Sequence, residues 1–356
     1  MTSPKNTVAF IGLGVMGYPM AKNLRKGLGS DQNLVICDID KDTIARFQEE
    51  TAEYGPVGVV ANGFEAAKTA DAVITMLPDS SAVEAVYLDP TTGIVAGISA
   101  AATTSTHGQH KLIMECGTIE TATIAAVSAA VDKLQATVRA SLPPTLPPRL
   151  PAVLPTKLPS PHNTLTISFV DAPVSGGPMG AHAGTLAFMV GAATPSDFSH
   201  ARDTYLTHMG SASSIFHCGP VGAGTAFKII NNYLSAITSL AASEALNIGV
   251  KAGLDPKLLT DVINASGGQC WVTSCANPVP GVQEGVPSSR GYEGGFRLEL
   301  CAKVLGMGRR LAEEVGARTV LDGVTAEAFA EAGADERYRG RDARVVYKWL
   351  SESERR

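Results

Sequence analysis

Short apolar runs separated by helix-compatible stretches recur through the first two hundred residues. Residues 7–11 (Thr-Val-Ala-Phe-Ile) form one such run, followed by a glycine turn and a helical pattern over about 18–26. A second run, 34–37 (Leu-Val-Ile-Cys), ends at Asp38, and further strand-like runs lie at 57–61, 72–77, 112–116, 167–171 and 185–191. Buried strands alternating with helices predict a doubly wound parallel sheet. The character changes from 221 to 252. Ala, Leu, Ile and Ser without a proline make a pattern far longer than any before it, which predicts one long helix. Asp255-Pro256 reads as an N-cap with proline at the first helical position, opening another helix. Beyond it the pattern stays helical with no clear strand.

Two segments break this rhythm. Residues 99–110 are poor in large apolar side chains and predict a solvated loop. Residues 142–161 read LPPT-LPPR-LPAV-LPTK-LPSP, one tetrapeptide pattern repeated five times. Proline at that density excludes helix and central strand, and polyproline II is its default conformation. An inserted surface loop is the favoured reading, ahead of a docking site for a proline-recognising domain.

Gly12-Leu13-Gly14-Val15-Met16-Gly17 follows a predicted strand and opens a predicted helix, which is the context a Gly-x-Gly-x-x-Gly turn needs to bind a dinucleotide. Gly12 permits the tight turn, Gly14 lets the backbone approach a pyrophosphate, and Gly17 lets helix and strand pack closely. The phosphates would meet the helix N-terminus, where unpaired N–H groups favour anions. Asp38 follows Gly17 by about 20 residues, the spacing at which an acid binds the adenosine ribose hydroxyls. It would repel the 2′-phosphate of NADP, and no arginine adjoins it, so NAD is the expected cofactor.

The second chemical feature is Gly219-Pro-Val-Gly-Ala-Gly-Thr-Ala-Phe-Lys228-Ile-Ile-Asn231-Asn232. Lys228 and Asn232 are i and i+4, so both project from one helical face. An ammonium and an amide together can hold a hydroxyl or carbonyl oxygen, which suits hydride transfer. A lone lysine would be read as a surface charge, but the glycine-rich lead-in and the Asn-Asn that follows favour a functional one. Ser175-Gly176-Gly177 offers a hydroxyl and exposed N–H groups that can make an anion-binding nest, with a small carboxylate as natural occupant.

Composition narrows the class. The chain has 356 residues, 45% of them hydrophobic, enough for two domains with sizeable cores. A net charge of -5 argues against a general nucleic-acid surface. The six cysteines show no Cys-x-x-Cys and read as reduced thiols. The histidines show no His-x-x-x-His spacing, no hydrolase motif occurs, and no metal is expected. No apolar run approaches a membrane span. The first residues show neither a secretory h-region nor an Arg-rich presequence, which taken alone points to the cytosol.

Three segments in this order resemble the signatures of the β-hydroxyacid dehydrogenases. Phe-Ile-Gly-Leu-Gly-Val-Met-Gly-Tyr-Pro-Met-Ala-Lys-Asn (10–23) resembles the first, Asp-Ala-Pro-Val-Ser-Gly-Gly-Pro-Met-Gly (171–180) the substrate-binding one, and 219–232 the catalytic one. Met76-Leu77-Pro78 and Gly117-Thr118-Ile119 resemble loops on the nicotinamide side. Lys303 matches a lysine the family places near the nicotinamide, and 335–350 resembles its C-terminal helix. Asn277-Pro-Val-Pro-Gly281 and Tyr292-Glu-Gly-Gly-Phe296 resemble the hydroxyisobutyrate branch.

The resemblance implies an N-terminal Rossmann-type NAD-binding domain (1–218, carrying insertions near 99–110 and 140–162). A long interdomain helix and an all-α C-terminal domain (219–356) would follow, the latter helping to form homodimers or homotetramers. It implies NAD-dependent oxidation of (S)-3-hydroxyisobutyrate to methylmalonate semialdehyde in valine breakdown, with Lys228 at the substrate hydroxyl and Asn232 orienting the same oxygen or the carboxylate. In eukaryotes that step is mitochondrial, in tension with the first residues. Two departures stand out: Val304 where the family usually has aspartate, and Gly117 where it usually has serine. A related semialdehyde reductase, and a dehydrogenase fold kept as a non-catalytic binding protein, remain open alternatives.

Overall fold

The computed structural model describes residues 6–29, 32–102, 110–140 and 165–353. The Leu-Pro repeat and residues 103–109 lie outside them. The chain divides into two compact units, Met1–Thr225 and Ala226–Arg356.

In the first unit β1 (Thr7–Ile11), α1 (Gly17–Gly27), β2 (Asn33–Cys37), α2 (Lys41–Thr51), β3 (Val57–Val59), α3 (Gly63–Thr69), β4 (Ala72–Thr75), α4 (Ser80–Leu88), α5 (Ile94–Ala102), β5 (His110–Glu115) and α6 (Thr121–Ala140) alternate. Then come β6 (Thr166–Asp171), β7 (Val174–Ser175), α7 (Gly177–Ala183), β8 (Leu186–Ala192), α8 (Pro195–Thr204) and β9 (Gly210–Gly219). One sheet runs β3-β2-β1-β4-β5-β6-β8-β7, with β9 on β8. It is parallel from β3 through β6, β8 runs antiparallel to β6 and β7, and β9 is parallel to β8.

Both faces are buried, as a parallel sheet requires. Val8, Phe10, Leu34, Ile36, Ile74 and Met114 pack on one side with Met20 and Leu24 of α1 and Phe47 of α2. Ala9, Ile11, Val73 and Ile113 pack on the other with Val83 and Tyr87 of α4, Ile98 of α5 and Val127 of α6. The strand order reverses direction at β1 and β4, which places a crevice beyond their C-terminal ends.

The predicted elements from 7 to 191 are present, some shorter than expected. The predicted loop at 99–110 is corrected at both ends. Ser99–Ala102 belongs to α5, because Ile98 and Ala101 are buried, and His110 already begins β5. Two strands escaped the sequence. Two-residue β7 is too short to show a period. Gly-Ser-Ala-Ser-Ser opens β9, whose pairing with β8 carries register shifts.

The helix α9 (Ala223–Lys251) opens at the end of the first unit and continues into the second. Asp255 caps α10 (Pro256–Asn264) by accepting Leu258 N–H at 2.7 Å, with Pro256 at the helix start as the pattern predicted. The other helices are α11 (Trp271–Cys275), α12 (Leu298–Glu314), α13 (Asp322–Ala334) and α14 (Val346–Glu352). Their core gathers Ala236, Leu298, Cys301, Leu305, Phe329, Tyr338 and Val346. Within 335–350, α-helix starts only at Val346. Fully buried Asp342 accepts the Phe296 N–H at 2.8 Å and the Arg344 N–H at 3.0 Å, and so holds the backbone before it in a turn.

Candidate active site

The glycine loop crosses from β1 to α1. Gly12 has φ +95°, and a Cβ there would strike the Met76 carbonyl; a Cβ on Gly17 would strike the Gly12 carbonyl. Gly14 differs, since nothing lies within 4 Å of where its Cβ would stand. Two glycines are therefore forced by neighbouring backbone, and the third leaves an open approach. The first turn of α1 has no side-chain cap; its Tyr18 N–H bonds the Gly14 carbonyl and Pro19 has none to give, so the backbone of the Gly14–Gly17 turn is what would meet an anion at this helix end. These features fit a dinucleotide pyrophosphate.

Asp38 is tied into this loop rather than solvated at a strand end. Its Oδ2 accepts Leu13 N–H at 2.5 Å and its Oδ1 accepts Asp40 N–H at 2.9 Å. Leu77 and Pro78 follow β4, and Thr118 follows β5. Ile11 is in register with Thr75, and Thr75 with Glu115. The turn at 12–17, Leu77, Pro78 and Thr118 thus share one end of three adjacent strands.

Ser175 ends β7, opposite Ala187 of β8. Gly176 (φ +130°) and Gly177 (φ +60°) are exposed, and no atom lies within 4 Å of a Cβ built on Gly177. The left-handed turn leaves backbone open to a small anion.

Sequence reasoning missed the role of Asp171 at the end of β6. Its carboxyl accepts Gly222 N–H at 2.6 Å and Thr225 N–H at 2.7 Å, which are orphan donors at the start of α9. Gly191 and Gly224 are needed beside it. A Cβ on the first would strike Asp171 Oδ1, and one on the second the Met189 carbonyl. Burial pushes the Asp171 carboxyl up. The glycines around 222 hinted at close approach, but nothing local pointed to an acid 51 residues earlier.

In the second unit, Lys228 and Asn232 lie one turn apart on α9, 7% and 8% exposed, whereas Phe227 is 56% exposed. Burial lowers the Lys228 ammonium to about 8. The Asn231 amide donates to Asn232 Oδ1 at 3.4 Å. Lys303 is half-buried on α12. Next to it Val304, one of the two departures from the family pattern, is 3% exposed and packs with Ile229 and Met307, so α12 is fastened to α9 by apolar contact.

Residues 7–138 and 159–219 match a family model described as the NAD binding domain of 6-phosphogluconate dehydrogenase. Residues 222–350 match one described as NAD-binding of NADP-dependent 3-hydroxyisobutyrate dehydrogenase. The mitochondrial 3-hydroxyisobutyrate dehydrogenase of Homo sapiens is 35% identical over 351 residues, 98% of this chain and 88% of the relative. The 3-hydroxyisobutyrate dehydrogenase of Pseudomonas aeruginosa is 34% identical over 344 residues, covering 96% and 97%. Among solved structures, 3-hydroxyisobutyrate dehydrogenase of Mycobacterium tuberculosis with L-serine superposes with a TM-score of 0.72 at 29% identity, covering 97% of this chain and 99% of the other.

Proposed function

The chain belongs to the 3-hydroxyisobutyrate dehydrogenases, and from that footing we propose that it oxidises (S)-3-hydroxyisobutyrate to methylmalonate semialdehyde, with Lys228 as proton acceptor. It is an NAD-dependent oxidoreductase acting on a 3-hydroxyacid. The observation that carries the residue assignment is the Lys228 ammonium, buried on α9 and lowered to about 8. A lysine in that range exchanges a proton near neutral pH, as general acid–base work requires.

NAD, when bound, supplies the hydride acceptor. The chain does the rest. Gly12 to Gly17 receive the pyrophosphate, with Leu13, Val15 and Met16 forming the turn, and Asp38 receives the ribose hydroxyls. Leu77, Pro78, Thr118 and Lys303 are assigned to the nicotinamide side. Ser175, Gly176 and Gly177 receive the substrate carboxylate, Asn232 orients the substrate, and Lys228 takes the hydroxyl proton as hydride leaves carbon. Support for the last role is chemical: the neutral amine is the acceptor, and burial favours that neutral form.

Self-association is part of the proposal. It is supported by an exposed apolar stripe of Phe227, Ile230 and Leu234 on α9 and by Leu258 and Val262 on α10. A mitochondrial location is proposed from the human relative, whose name carries that compartment. Among the described residues no helix is long and apolar enough to cross a membrane.

The test is NADH absorbance with purified protein, NAD and (S)-3-hydroxyisobutyrate. Turnover is expected, and Lys228→Ala should keep NAD binding while losing kcat by about 10²-fold or more. Wild-type turnover that survives Lys228→Ala would remove the lysine from the mechanism.

A further inference from the structure

A carboxyl that the chemistry above does not use lies at the end of β5. Glu115 is 1% exposed and in register with Thr75, the last residue of β4. Its Oε1 accepts the Gly117 N–H at 2.6 Å, and the Leu77 N–H also bonds the carboxyl. Its Oε2 is hydrogen-bonded to Thr75 Oγ1, which in turn lies 2.6 Å from the hydroxyl of fully buried Tyr87 on α4. One side chain therefore gathers a backbone donor from each of two different loops, the one carrying Leu77 and Pro78 and the one carrying Thr118.

We propose that Glu115 is a positioning residue for the cofactor: its carboxyl clasps the β4 and β5 loops together, so that Leu77, Pro78 and Thr118 meet the nicotinamide end as one surface. This rests on the NAD-binding reading above. Gly117 is the second observation. A Cβ there would stand 2.6 Å from Glu115 Oε1 and 2.8 Å from the Leu77 carbonyl, so the glycine that replaces the family's serine makes room for the clasp. Burial raises the carboxyl to about 8, leaving it mostly protonated at neutral pH. Glutamine therefore reproduces its neutral charge and its length, with the amide oxygen placed to accept from the loop N–H groups and the amide NH2 placed to donate to Thr75.

The test is a fluorescence titration with NADH on wild type, Glu115→Gln, Glu115→Ala and Gly117→Ser, beside Tm, kcat and the KM of each substrate. Glu115→Ala should weaken NADH and raise the KM for NAD by about tenfold, because buried donors on both loops lose their partner. The hydroxyacid KM should move much less, and Glu115→Gln should restore most of the NADH affinity. Gly117→Ser should also weaken NADH by displacing the carboxyl, and it carries the same test should Glu115→Ala fail to fold. NADH affinity unchanged in Glu115→Ala or in Gly117→Ser overturns the proposal. So does a lower Tm with the KM for NAD unmoved, which is what a merely structural role would give. A wild type that does not bind NADH overturns the cofactor reading and the clasp together. A wild type that binds NADH but does not oxidise hydroxyisobutyrate overturns only the substrate reading, and the titration still decides the clasp.

Discussion

Lys228 carries a cost as well as its proposed role. Its ammonium titrates near 8 instead of 10.5 because burial disfavours the charge. The unfolded chain therefore binds more protons between those two values, so stability rises with pH through that window, and the penalty is fully present below 8. The displacement corresponds to about 3 kcal/mol. Lys228→Met should accordingly raise the Tm at pH 7 while abolishing turnover, as calorimetry and the NADH assay would show. In the proposed mechanism the same titration sets the rate. Oxidation needs the neutral amine, so kcat/KM for the hydroxyacid should climb as pH rises from 7 to 9, with a midpoint near 8, and the reverse reduction should fall over the same range. Glu115→Gln should keep that midpoint, which would assign it to the lysine rather than to the buried acid. At Asp38 the expectation concerns the cofactor. Removing the carboxylate in Asp38→Ala should lower the preference for NAD over NADP by about tenfold or more, since one repulsion and the ribose hydrogen bonds vanish together. An unchanged ratio of kcat/KM values would show that Asp38 serves only the glycine loop.

Comparing two of the aspartates that cap helices, Asp255 and Asp171, separates local from site-directed effects. Asp255 caps α10 with one bond to the Leu258 N–H, on an exposed turn. Asp255→Ala should cost about 1 kcal/mol in chemical denaturation and leave kcat unchanged. Asp171 caps α9, the helix that bears Lys228, through two bonds from a buried position. Asp171→Ala should cost more, about 2–3 kcal/mol, and should lower kcat as well, because one buried and one half-buried donor lose their partner at the root of that helix. The Asp255 cap was legible because an N-cap and a following proline are neighbours in sequence. The Asp171 cap was not, because its acceptor and donors are 51 and 54 residues apart. Strand β9 was missed for a similar reason. Its serines and small residues carry no apolar period, and its partner β8 is what makes it a strand.

The two units differ in how they meet solvent. The central strands of the first are covered on both faces, although Val59 and Phe216 on its outer strands are exposed, whereas α9 and α10 leave a run of Phe227, Ile230, Leu234, Leu258 and Val262 exposed. Light scattering should therefore find more than one chain per particle. Leu234→Asp or Leu258→Asp should shift the population toward single chains, and a wild type that is monomeric at all concentrations would defeat the proposed self-association.

What the sequence determined by itself was whatever depends on spacing along the chain. That includes the Gly12-Gly14-Gly17 turn, Asp38 at the end of the second strand, the Lys228–Asn232 helical face and the start of α10, because helix periodicity, turn geometry and capping act over a few residues. Tertiary structure decided the properties that arise from burial and from contacts across long separations. The lowering of Lys228 toward 8 needed a packed surround, and Val304 became a core residue only once it met Ile229. Glu115 reaches Thr75 across 40 residues of chain because parallel pairing of β4 with β5 sets their last residues side by side. A carboxyl's partners and its solvation are set by the neighbours that folding assembles, and the linear order of residues does not specify which those will be.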